Sequence, residues 1–198
     1  ELNYRGSSGF GKAYIDCLKS NWGVLDVEDT RLAADYLVSE GLADRKRLVL
    51  MGGSAGGYTL LMCLITYPGF FKAGICRYGV SNLLTLLDET HKFEARYLDS
   101  LVGTLPRDAE RFHQRSPVFA ADRIVDPVAI FQGDKDRVVP KDQSDTIVES
   151  LMKRSVPHIY QVFLGEGHGW RKRETIQTYY EMVERFLWEH VTSQTNID

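Results

Sequence analysis

Apolar residues along this chain follow two rhythms. Short runs at Leu48–Met51, Phe71–Tyr78, Val128–Gln132 and His158–Phe163 have the length and composition of strands. Between them the spacing turns helical. Asp26–Ser39 carries Val27, Leu32-Ala33-Ala34 and Tyr36-Leu37-Val38 at helical intervals and is closed by Gly41. Lys141–Arg154 is amphipathic, and Glu174–Val191 sets Ile176, Tyr179-Tyr180, Met182-Val183 and Phe186-Leu187 on one side. An apolar, helix-forming segment also follows Gly57. Shorter helical pieces are expected at Leu83–Leu87 and Phe93–Leu101, with Pro106 and Pro117 as breaks. The opening Glu1–Gly11 reads as the end of a strand running into a Gly/Ser turn. Strands alternating with helices predict an α/β domain over residues 1–198, a mostly parallel sheet with helices on both faces.

Composition narrows the class without naming it. A length of 198 residues suits one domain with a substantial core, and 43% hydrophobic with 26% charged residues is ordinary for a globular protein. A formal charge of −3 supplies no field for nucleic acid or for acidic lipid. No apolar run reaches the length of a membrane span, and the N-terminus has no signal-peptide pattern. The three cysteines, Cys17, Cys63 and Cys76, are an odd number, which favours free thiols in a reducing compartment. A cytoplasmic protein is expected, with no nucleic-acid or membrane partner and no cofactor. Gly6, Gly9 and Gly11 lack the lysine and serine of a phosphate loop. Asp26, Glu28 and Asp29 resemble metal ligands, but acids in a first helical turn complement the helix dipole and need no metal.

The chemistry gathers after the strands. Gly52-Gly53-Ser54-Ala55-Gly56 is G-x-S-x-G between a strand and a helix, the setting of a nucleophile elbow, where a sharp turn exposes the serine hydroxyl. Alone it also describes an ordinary glycine-rich turn. Past the third strand stand two acids, Asp134 and Asp136, either of which could simply cap the next helix. Past the fourth, His168 lies inside Gly165-Glu166-Gly167-His168-Gly169. Serine, acid and histidine in that order, each at the C-terminal end of a strand, is the order of α/β-hydrolases. A serine hydroxyl needs a base to take its proton, neutral imidazole does so near pH 7, and a carboxylate holds the imidazole in the right tautomer.

NYRGSSGFG, WGVLDVEDT, GGSAGGY, KFEARYLDSLVG, RSPVFAADRI, GDKDRVVP and GEGHGW together resemble the catalytic domain of the prolyl oligopeptidase family, on its acylaminoacyl-peptidase and dipeptidyl-peptidase-like branch. The resemblance implies an α/β-hydrolase fold and a serine peptidase acting on short peptides, with an esterase as the neighbouring alternative. It selects Asp136 over Asp134 and makes Ser54, Asp136 and His168 the triad. It gives an oxyanion donor to the amide of Ala55 and a substrate pocket to Val80, Leu83 and Leu86. Two departures stand out. Val138 occupies the position of the family's substrate-binding arginine, and Arg137, one residue early, inherits no role. The family's propeller, first strands and second oxyanion donor precede the stretch that this sequence resembles. The sheet is therefore expected to lack its first strands and to need an upstream segment or a second chain to complete it. Without that second donor, a catalytically incomplete fragment is the alternative to a working peptidase.

Overall fold

The computed structural model describes residues 2–89 and 97–193. In chain order its elements are α1 (Lys12–Asp16), α2 (Leu25–Ser39), β1 (Val49–Gly53), α3 (Ala55–Thr66), β2 (Ala73–Arg77), α4 (Leu83–Glu89), α5 (Tyr97–Leu101), α6 (Ala109–Gln114), β3 (Val128–Gly133), α7 (Lys141–Lys153), β4 (His158–Phe163) and α8 (Arg173–Leu187). A wider helical turn, Trp188–Thr192, finishes α8, and Pro117 opens a 3-10 turn to Arg123. The expected piece at Phe93–Leu101 is described only from Tyr97, where α5 begins; residues 93–96 lie outside the described residues.

The four strands are all parallel and lie in the order β1-β2-β3-β4. Alternation along each strand divides the core into two layers. Val128 and Ile130 of β3 face a cluster built from α3 and α7, with Leu60, Leu64, Ile147 and Leu151 inside it. Ala129 and Phe131, one residue out of step, face Tyr179, Val183 and Phe186 of α8. Helices therefore cover both faces, as an α/β-hydrolase requires.

β3 is buried at every residue, whereas β1 is half-exposed and, among the described residues, pairs only with β2. Met51 is 55% exposed, on the face that α8 covers further along the sheet. Beside this edge lies a cavity of about 670 Å³, lined among others by Leu2, Tyr4, Leu50, Met51 and Arg77. β1 also runs further than its apolar run predicts, through Gly52 and Gly53, because both pair with Cys76 and Arg77 of β2.

The acids opening α2 do something other than face the helix dipole. Asp26 is fully buried, accepting from Gly23 N at 2.6 Å and from Thr59 Oγ1 of α3 at 2.5 Å. Glu28 and Asp29 pair instead with Arg5, at 2.5 and 2.7 Å.

Candidate active site

A sharp turn sits where β1 becomes α3. Ser54 caps α3 at φ 55°, ψ −122°, a strained conformation for a residue with a side chain. Two hydrogen bonds hold it there: its amide donates to Arg77 O of β2, and its carbonyl accepts from Tyr58 N, both at 3.0 Å. Gly52 is required because a Cβ there would collide with the carbonyl of Gly56. The hydroxyl of Ser54 has no hydrogen-bond partner among the described residues. Ala55 is exposed, and as the first residue of α3 its amide has no intrahelical acceptor. A free hydroxyl and a free N–H thus stand side by side at a helix N-terminus.

The turn after β3 carries the acid. The Asp136 side chain is fully buried, and its Oδ1 accepts from the amides of Val138 and Val139, both at 2.9 Å. Its Oδ2 lies 2.8 Å from His168 Nδ1 and 3.4 Å from Gln132 Nε2. Gln132 is itself fixed, donating to Val139 O and accepting from the Ser144 hydroxyl. A carboxylate oxygen can accept from an imidazole Nδ1–H, and this pairing turns Nε2, the other ring nitrogen, away from Asp136. Asp134, the rival acid, faces elsewhere: its Oδ1 accepts from Gly165 N, and Lys135 Nζ lies 3.5 Å from its Oδ2.

Tyr78 joins the two halves. Its ring lies 4.5 Å from the His168 imidazole, centroid to centroid, and 5.3 Å from Trp170. The same ring packs over Gly53, where a Cβ would stand 3.1 Å from Tyr78 Cε2. One aromatic side chain therefore touches both the residue before Ser54 and the histidine.

An apolar cavity of about 140 Å³ opens beside Ser54 and Ala55. Val80 and Leu86 line it, together with Trp22, Tyr97, Val138 and Val139. Leu83 is not part of it. That residue is fully buried in the core, and its amide is capped by the Ser116 hydroxyl. Val138, standing where the resemblance calls for arginine, adds apolar surface to the wall. Trp22 and Tyr97 escaped sequence reasoning because they come from loops and helices remote from the strand ends. Tyr78 left a usable signal, since it directly follows β2 at the level of Ser54. Among the described residues no group of three or more His, Cys, Asp or Glu side chains is arranged to hold a metal.

The model of the prolyl oligopeptidase family matches residues 1–194. Dipeptidyl peptidase family member 6 of Caenorhabditis elegans is 33% identical over 98% of this chain and 27% of its own length. Dipeptidyl aminopeptidase BIII of Pseudoxanthomonas mexicana is 34% identical over 94% of this chain and 28% of its own. Among solved structures, a puromycin-hydrolyzing peptidase of Mycobacterium tuberculosis superposes with a TM-score of 0.90 at 42% identity, covering 96% of this chain and 29% of that one. The chain thus spans less than a third of the length of these relatives. With the family match running over nearly all its residues, the chain belongs to the prolyl oligopeptidase family.

Proposed function

We propose that this chain carries the reacting centre of a serine peptidase. Ser54 attacks an amide carbonyl, His168 Nε2 takes its proton and returns it to the leaving amine, and Asp136 stabilises the imidazolium formed between the two steps. The bond that breaks is the substrate C–N. The acyl group remains as an ester on Ser54 Oγ until water, deprotonated by the same imidazole, releases it. The amide of Ala55 donates to the developing oxyanion, aided by the positive end of α3. The observation that carries this reading is the 2.8 Å contact between His168 Nδ1 and a buried Asp136, on the same end of the sheet as a strained, unpartnered Ser54.

The substrate class follows from the cavity beside Ser54. Its walls are apolar, so the residue on the acyl side of the scissile bond is apolar too, and with valine at 138 none of the described lining residues brings a cation there. Short peptides and amides of apolar amino acids fit that description, and the puromycin-hydrolyzing relative makes puromycin a sensible probe.

The open β1 edge supports a second element of the proposal. Unpaired strand N–H and C=O groups beside an exposed Met51 call for another strand, supplied by upstream residues or by a second chain. If the second oxyanion donor comes with that strand, residues 1–198 alone would hydrolyse substrate about 10²–10³-fold more slowly than the completed domain.

The test is a fluorophosphonate probe on the full-length chain, with hydrolysis of an apolar aminoacyl p-nitroanilide followed in parallel. Labelling at Ser54, lost with hydrolysis in Ser54→Ala, is the expected result. Hydrolysis that survives Ser54→Ala would refute the assignment.

A further inference from the structure

The loop that presents His168 contains Gly165, Gly167 and Gly169, and so has little backbone preference of its own. Something else must set the direction of the imidazole. Glu166, two residues before the histidine, is only 2% exposed, and its carboxylate points along the loop rather than out of it. Its Oε2 accepts from Arg171 N and its Oε1 from Lys172 N, both at 3.0 Å, so one side chain closes a ring of backbone around His168. Burial opposes the charge, yet these two amides, with the hydroxyl of Thr175 and the nearby Lys172, outweigh it and hold the carboxyl below its ordinary range. The main chain of Glu166 is tied as well, its carbonyl accepting from Lys135 N at 2.9 Å, one residue from Asp136. A further bond from Gly165 N to Asp134 Oδ1 links the same two loops.

We infer that Glu166 is a positioning residue: its carboxylate fixes the loop so that His168 Nδ1 meets Asp136. It touches no reacting atom and acts only through the imidazole. The inference rests on reading Ser54, His168 and Asp136 as the reacting groups. The contrasting role would be plain capping of α8, whose Thr175 also reaches the carboxylate.

Two readouts on the full-length chain separate these roles. The first is the downfield proton resonance of a His168 Nδ1–H hydrogen-bonded to Asp136, which does not depend on turnover. The second is the rate of fluorophosphonate labelling, together with kcat and KM on the p-nitroanilide. Glu166→Ala should lose or broaden the resonance, label Ser54 about 10²-fold more slowly, and lower kcat with KM unchanged. Glu166→Gln keeps one good acceptor and should recover part of both. Thr175→Val removes the helix-side contact alone and should leave the resonance and the labelling rate near those of the parent.

A resonance and labelling rate unchanged in Glu166→Ala would overturn the inference. So would equal losses in Glu166→Ala and Thr175→Val at equal thermal midpoint, which would make the carboxylate a cap. Should Glu166→Ala fail to fold, Glu166→Gln carries the same two measurements, and an unchanged resonance there counts against the proposal equally. If the parent is not labelled at Ser54 but its resonance vanishes in Glu166→Ala, positioning stands and the peptidase reading falls. If the parent is labelled and the variant matches it, the reverse holds.

Discussion

Two buried carboxylates, one on each side of the site, behave in opposite ways. Asp26 on the serine side is fully buried between α2 and α3, and burial pushes its carboxyl up despite hydrogen bonds from Thr59 and Gly23. Glu166 on the histidine side is buried almost as completely, yet its carboxyl is held down. Loss of solvent contact alone therefore does not fix the sign. Asp26 sits in the core, beneath the helix that starts at Ser54. Glu166 sits under a thin loop whose own amides point at it, with Lys172 close by. The serine side is held by packing, whereas the histidine side is stitched by hydrogen bonds, and the two should fail differently.

The largest difference is expected within the stitched side. Asp136→Asn should cost on the order of 10⁴ in kcat, because an amide in place of Oδ2 favours the wrong imidazole tautomer. Asp134→Asn keeps an acceptor for Gly165 N and should cost only a few-fold. Steady-state kinetics on both variants decides it, and equal losses would mean that the wrong acid had been chosen. Next in size comes Gly52→Ala on the packed side. Its methyl group has only backbone to push against, so urea unfolding should show a loss of about 1–3 kcal/mol, with Ser54 labelling impaired as the elbow shifts.

A pH series on thermal midpoints sharpens the contrast between the carboxylates. Glu166 has a depressed pKa, so its contribution is present above its unfolded value, about 4.3, and is lost as pH falls through the folded pKa. The deficit of Glu166→Gln relative to the parent should therefore shrink on acidification. Asp26 has a raised pKa, so its contribution is full below its unfolded value, about 3.9, and is lost as pH rises through the folded one. Asp26→Asn should gain on the parent as pH rises from 4 to 7. Parallel curves for the two variants would remove the distinction. The smallest effect belongs to the open edge. Met51→Lys should change stability by no more than about 0.5 kcal/mol. In sedimentation of residues 1–198 it should nevertheless reduce self-association through β1.

What could be read in advance follows from which residues carry a signal. β4 is legible to the residue because Ile159, Tyr160, Val162 and Phe163 are β-branched or aromatic and the segment is bounded by Pro157 and Gly165. β1 reads short in the sequence because Gly52 and Gly53 offer no side chain to mark a strand. The serine and histidine stood out as singular residues among glycines. Choosing between Asp134 and Asp136, by contrast, needed the family resemblance, since both lie in one turn and differ only in which loop atom each one meets. Nothing in Asp26 distinguishes it from Asp29, though one is buried on Thr59 and the other pairs with Arg5 at the surface. The placement of Leu83 has the same origin: it and Leu86 lie one turn apart on α4 and both are buried in one core cluster, so spacing alone does not say which one meets the cavity. Nor does the composition of β1 reveal that it lies at an edge of the described sheet.

The simple strand order has a consequence for how the protein is made. Each strand pairs with the one before it in the chain, so a sheet begun at β1 can grow one strand at a time as the polypeptide leaves the ribosome. Ser54 belongs to the first of these steps, and Arg77 of β2, whose carbonyl accepts from its amide, follows shortly after. His168 emerges only after β4, and the amides that lock its loop come later still, at the threshold of the final helix. A chain made only as far as β2 thus holds Ser54 without His168, and the contact between His168 and Asp136 forms only once β4 and the loop after it have been translated.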